Sequence, residues 1–293
     1  MDGNRGKELK VVNAWFRIPL GPWIDAATGV LVVNLRGVFR SISDWIGVVL
    51  GAVEGVLRGA PFWLVLLVVS LLAWKVAGRG PGLFAGAGLL FIAGIGLWDR
   101  AMITLALVLT ATLVSMILGI PLGILAARSR TLDAVLRPVL DVMQTMPSFV
   151  YLIPALMLFG IGRVPGVIAT VVFAMPPAIR LTNLGIRQVP RDVVEAARAF
   201  GATPSQLLFG VQLPLALPTI MAGVNQTILL SLSMVVIAAM IGAGGLGGVV
   251  LTAIQRVQIG TGFEGGIAIV ILAIVLDRIT QALARNRRGR NDS

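Results

Sequence analysis

The feature that most constrains this chain is the run from Ala101 to Ala127, which contains no charged residue. A helix of that length is long enough to cross a hydrocarbon core roughly 30 Å thick. A second uncharged stretch, 199–255, is too long for one crossing and is broken by Gly242, Gly244, Gly245, Gly247 and Gly248. The whole chain is 57% hydrophobic and 13% charged, against about 45–50% and about 25% for soluble domains. This composition excludes an ordinary soluble protein and a disordered one. The net charge of +11 comes from short basic clusters between apolar runs. That spacing fits basic cytoplasmic loops of a multi-pass membrane protein and speaks against nucleic acid. The chain has no Cys and no His. Disulfides, thiolate chemistry, the usual zinc sites and His-based catalysis are therefore excluded, and no cofactor is expected.

Charges mark the ends of the predicted spans. No early apolar region follows Met1–Lys10, so no cleaved signal peptide is expected. Residues 1–59 are mixed, with an amphipathic helix over 42–57 whose apolar residues (Ile42, Trp45, Ile46, Val49, Val53, Val56) recur at helical spacing. Spans are expected at 60–77, 82–98, 101–127, 142–161, 164–183, 206–240 and 264–283, about seven in all. The segment 131–141 carries Asp133, Arg137 and Asp141 and is expected at the membrane surface. A shorter segment follows the glycine break at 249–258. The expected fold is thus an all-α polytopic membrane protein with an interfacial N-terminal helix. Its parts are an N-terminal segment (1–59), two peripheral helices (60–98), a core (99–284) with a polar connection at 184–205, and a basic tail (285–293). Placing the C-terminus in the cytoplasm puts Arg128, Arg130, Arg187, Arg191, Arg198 and the tail inside, with the N-terminus outside.

The connection reads GIRQVPRDVVEAARAFGATPSQLLFGVQLPLALP over 185–218. Pro190 stops the preceding helix, and Asp192 with Glu195 three residues on has the form of a capping box. Val193, Val194, Ala197 and Phe200 form one apolar patch, Gly201 suits a left-handed C-cap, and Thr203-Pro204 opens the next helix. A short helix with such a patch and small alanines can dock in a partner's groove.

Glu195-Ala196-Ala197, then Gly201, Val211 and Leu213-Pro214, resemble the EAA loop of ABC-importer permeases, with Val211 where that family usually has Ile. QTMPSFVYLIP (144–154), VPGVIATVVFAMPPAIR (164–180), SLSMVVIAAMIGAGGLG (231–247), FEGGIAIVILAIVLDRITQ (263–281) and the front end RIPLGPWIDAATG (17–29) resemble the permeases of glycine betaine/proline betaine (osmoprotectant) importers. The resemblance covers about residues 15–283. It implies a type I permease in the bacterial inner membrane, non-catalytic itself, paired with a second copy. Its implied partners are two cytoplasmic ABC ATPase subunits and an extracytoplasmic solute-binding protein. The substrate it implies is glycine betaine or another methylated amine such as proline betaine, choline or carnitine. It assigns ATPase coupling to Glu195, Ala196, Ala197, Gly201, Leu213 and Pro214. The rival reading is a stand-alone secondary carrier.

Gln144-Thr145-Met146-Pro147 break a span with polar side chains, which is tolerated at membrane depth where the backbone lines a cavity or is buried in protein. These four residues, with Asn225, Ser231 and Ser233 on the long 206–240 helix, are candidates to line a pathway. The alternatives are a packed kink and helix-to-helix hydrogen bonds, the latter serving Gln226 equally. Asp277-Arg278 is expected to form a structural ion pair or to place Arg278 at the interface. The Gly242–Gly248 run lacks the Lys-Ser/Thr of a phosphate-binding loop. All six Trp lie at or before position 98 and the one Tyr is Tyr151, so an aromatic cage for a quaternary amine is not expected in this chain.

Overall fold

The computed structural model describes residues 19–288, which separate into two units, 19–42 and 43–288. The described residues of the first unit are helical from Leu20 on. They begin α1 (Leu20–Gly59), in which Leu35 departs from helical geometry at φ −108° and ψ 15°. Ser41 returns its hydroxyl to the Gly37 carbonyl, four residues back. Arg17 and Ile18 of the front-end stretch, and Arg290 of the tail, lie outside the described residues.

The second unit holds the end of α1 and then α2 (Phe62–Ala77), α3 (Arg79–Gly94), α4 (Trp98–Arg128), α5 (Arg130–Thr145), a 3-10 turn (Ser148–Tyr151), α6 (Leu152–Phe159), α7 (Arg163–Ala174), α8 (Pro176–Arg187), α9 (Arg191–Ala199), α10 (Pro204–Ser233), α11 (Val235–Ala239), α12 (Gly245–Gln255) and α13 (Ile259–Arg288). Among the described residues there is no strand. The helix expected at 42–57 is therefore the end of a longer one. Ile46 and Leu50 face the core while Val48 and Val56 stay exposed.

Among the described residues, four helices are long and apolar enough to cross a membrane: Trp98–Arg128, Arg163–Arg187, Pro204–Ser233 and Ile259–Ala284. Two bent pairs raise the number to six if each is one span: Val32–Gly59 with Phe62–Ala77 at 104°, and Arg130–Thr145 with Ser148–Phe159 at 109°. The sequence count of about seven falls to six because one expected segment is too short, and to four if the bent pairs, which contain the segments expected at 60–77 and 142–161, are not counted. The segment at 82–98 folds as the 16-residue α3, which does not reach spanning length. The segment at 60–77 is one arm of a bent pair.

Helix α4 is the central post. Ala101, Met102, Ala106, Val108 and Ala111 are all but inaccessible. Helices in lipid gain little from the hydrophobic effect, so close packing of small residues must hold them. Gly123 meets this need on α4: a Cβ there would lie 2.6 Å from the Thr182 Cβ and 2.7 Å from the Ile179 carbonyl oxygen on α8. Further along, the Thr104 hydroxyl accepts from the Leu246 backbone N–H at 2.8 Å, seating the start of α12. The glycine break ahead of α12 is a turn, with positive φ at Gly242, Gly244 and Gly245, while Gly247 and Gly248 are helical.

Candidate functional site

The connection between α8 and α10 forms the predicted short helix, turn and second helix. No residue of α9 is buried, and Phe200 just beyond it is 94% exposed. The apolar patch is present, with Val194 and Ala197 half-buried and Val193 and Phe200 open. Glu195 and Ala196 are exposed. Asp192 does not cap the helix. It lies in the first turn, and Pro190 occupies the N-cap without any side-chain hydrogen bond. The expected capping box with Glu195 is thus replaced by an acidic first turn, where Asp192 complements the helix dipole. A capping box does form one helix later. The Thr203 hydroxyl accepts from the Gln206 N–H at 3.3 Å, and the Gln206 side chain accepts from the Thr203 N–H at 2.9 Å. Gly201 has φ +80°, the left-handed turn expected of it.

After this turn the chain enters α10 through a π-helical turn, Leu207–Gln212. Pro214 has no N–H to offer the Gly210 carbonyl, so the regular ladder is already broken there. The Leu213 N–H reaches back five residues to the Leu208 carbonyl. Leu213 is half-buried and Pro214 exposed.

The roots of the connection are held twice. Ile186 on α8 and Leu208, Ala216 and Ile220 on α10 form a buried apolar cluster, with Ile120, Ile124 and Ala127 of α4 packed against it. Beside it lies a charged cluster the sequence did not reveal. Asp133, expected at the surface, is only 7% exposed. Its carboxylate accepts from Arg137 at 2.7 Å and from the Asn183 amide at 2.7 Å, and lies 3.2 Å from Arg187. Arg187 also donates to the Asn183 carbonyl oxygen at 2.7 Å and to the Ala126 carbonyl at 2.9 Å. Two guanidinium groups thus hold one carboxylate, and the Arg180–Asp141 pair stands beside them. A cavity of about 360 Å³ lies between α5 and α8, bordered by these residues. Only the i,i+4 spacing of Asp133 and Arg137 pointed here from sequence. The long-range partners had no local signal.

The candidate pathway residues fall in two places. Gln144, Thr145 and Pro147 are exposed at the break between α5 and the 3-10 turn, and Met146 is half-buried. The Thr145 hydroxyl bonds the Val142 carbonyl at 3.2 Å, and the Tyr151 hydroxyl donates to the Met143 carbonyl. Tyr151 also meets Phe173 edge-on. On α10, Ser231 is buried and Ser233 exposed, and each bonds a carbonyl of its own helix four residues back. Asn225 alone of these reaches another helix. Its amide donates to Asp277 at 2.9 Å and its carbonyl accepts from the Thr280 hydroxyl. The expected Asp277–Arg278 ion pair does not form; Asp277 instead takes the amides of Asn225 and Gln281. Adjacent residues on a helix point about 100° apart, which keeps Arg278 off this cluster.

Residues 119–289 match the family model described as the inner membrane component of binding-protein-dependent transport systems. The chain is 52% identical over 275 residues to the glycine betaine/proline betaine transport system permease protein ProW of Escherichia coli, covering 94% of this chain and 78% of that one. It is 51% identical over 276 residues to the glycine betaine/carnitine transport permease protein GbuB of Listeria monocytogenes, covering 93% and 98%. Its fold matches the MetNI methionine ABC transporter in an inward-facing conformation, with a TM-score of 0.58 and 23% identity over 65% of this chain and 95% of that one.

Proposed function

This chain belongs to the family of inner membrane components of binding-protein-dependent transport systems, and we propose that it forms the transmembrane pathway of an ATP-driven importer for glycine betaine or a related methylated amine. It is a non-catalytic membrane subunit; ATP is hydrolysed by a partner, and a solute-binding protein delivers the substrate. The observation that carries the reading is identity of about half the residues along nearly the whole chain with betaine permeases. The unburied α9 supports it, since its chain leaves Val193 and Phe200 of the apolar patch open to a partner's cleft.

In this reading α9 is the coupling helix. Glu195 anchors it, Ala196 and Ala197 allow close approach, Gly201 makes the turn, and Leu213 with Pro214 starts the helix that carries the movement. Two copies of the chain pair around the pathway and engage two ATPase subunits. The loop and the C-terminus lie in the cytoplasm and the N-terminus outside. The Gln144-Thr145-Met146-Pro147 step, exposed apart from the half-buried Met146, lines the passage. Asn225 joins α10 to α13, and Ser231 and Ser233 turn their hydroxyls to their own helix, a weaker fit to a pathway role. Substrate choice rests with the binding protein.

The test is co-purification from detergent of the tagged chain and of a Glu195→Ala/Gly201→Asp variant, followed by uptake assays. The wild type is expected to bring an ATPase with it and the variant to lose it. Betaine uptake by the wild-type chain alone in liposomes, without any ATPase, would overturn the proposal.

A further inference from the structure

The connection that carries α9 leaves α8 at Arg187 and enters α10 at Pro204. The last turn of α4 grips both points. Arg187 donates to the Ala126 carbonyl at 2.9 Å, and two residues on Arg128 donates to the Pro204 carbonyl at 3.0 Å. The grip at Arg187 is shared with Asp133 of α5, which is buried and also takes the Asn183 amide. We infer that Arg128, Arg187 and Asp133 are positioning residues that clamp both roots of the coupling connection to α4 and gear it to α5. This inference rests on the transport reading above.

The mechanical consequence follows from the two layers. The apolar cluster under the roots stops them sinking or tilting, but it is non-directional and permits sliding. Arginine hydrogen bonds are directional and fix register. A connection held at both ends cannot hinge about either end when α9 is pushed. The displacement must instead move α4, α8 and the start of α10 together. Asp133 extends the block to α5, whose far end carries the Gln144–Pro147 step. A push on α9 is thereby converted into a movement of α5 at the break. Arg187 serves three acceptors at once, through Nε to Asn183 and Nη2 to Ala126 and Asp133. A lysine ammonium keeps the charge but cannot span that set.

The test uses the full complex and the chain by itself. Arg187→Lys, Asp133→Asn and Arg128→Ala are assayed in proteoliposomes with the ATPase and the binding protein for betaine moved per ATP hydrolysed. Each is expected to lower that ratio about tenfold while ATP hydrolysis continues, the size expected for losing a charge-assisted hydrogen bond. Hydrogen exchange over 188–203 in the detergent-solubilised chain is expected to accelerate in all three. Arg128 is exposed and leaves no buried charge behind, so Arg128→Ala keeps the test open if Asp133→Asn does not fold. Wild-type ratios and wild-type exchange in folded Arg128→Ala and Arg187→Lys would overturn the clamp. Accelerated exchange in a chain whose wild type shows no ATP-driven uptake would keep the clamp and overturn the transport reading.

Discussion

Gly201 separates a backbone requirement from every other influence on the turn proposed to couple the chain to its ATPase. Its φ is +80°, and a Cβ built on it meets nothing within 4 Å. A substitution therefore adds no clash with a neighbour, and its whole cost is the left-handed conformation. For an L-residue that cost is about 1–2 kcal/mol, higher for β-branched side chains and lower for Asn, which visits this region readily. A loss of that size shifts the balance between this turn and its alternatives by roughly 5- to 30-fold. Gly201→Val should therefore loosen the end of α9 without disturbing α10, which begins at Pro204. The prediction is a several-fold fall in ATPase-coupled uptake for Gly201→Val, a much smaller fall for Gly201→Asn, and thermal unfolding of both in detergent close to wild type. Uptake in proteoliposomes with the ATPase and binding protein measures the first two, and a melting curve the third. Equal damage from Asn and Val would refute the reasoning, since it would show that the glycine matters for space against a partner and not for its φ.

Gly123→Ala should destabilise the α4–α8 contact by about 1–3 kcal/mol, because the new Cβ would lie 2.7 Å from the Ile179 carbonyl, which is backbone and cannot rotate away. Gly94→Ala, with nothing within 4 Å, should be neutral or slightly stabilising in the same melting assay. Thr104→Val should cost about 1–3 kcal/mol by leaving the buried Leu246 N–H without its acceptor; a near-neutral melting shift would show that this N–H finds another partner. Single cysteines at Gln144 and Thr145, introduced into a chain that has none, should react with a membrane-impermeant thiol reagent in at least one transport state. Protection in every state would make the break a packed kink.

Local chemistry legible in order along the chain was recovered closely. The uncharged run became α4, Gly201 took its left-handed turn, Thr203 and Pro204 opened α10, and the exposed character of α9 followed from its charges and Pro190. These features depend on residues within a few positions of one another, so spacing alone carries them. Two local patterns nonetheless fold otherwise than their spacing suggests. Asp192 has the right type and spacing for a cap, but Pro190 already sets the entry geometry. Asp277 and Arg278 are neighbours in sequence but not on one face of a helix.

What the sequence determined was a helical membrane protein, the position of its exposed α9 connection and, through resemblance, its class. What only the tertiary structure decided was which residues hold that connection in place. Asp133 and Asn183 lie 50 positions apart, and Arg128 and Pro204 lie 76 apart. A charge between apolar runs reads as a surface charge, because its partner is supplied by another helix. Burial and pairing of such groups are set by how helices cross, and no periodicity within one helix encodes the neighbour it will meet.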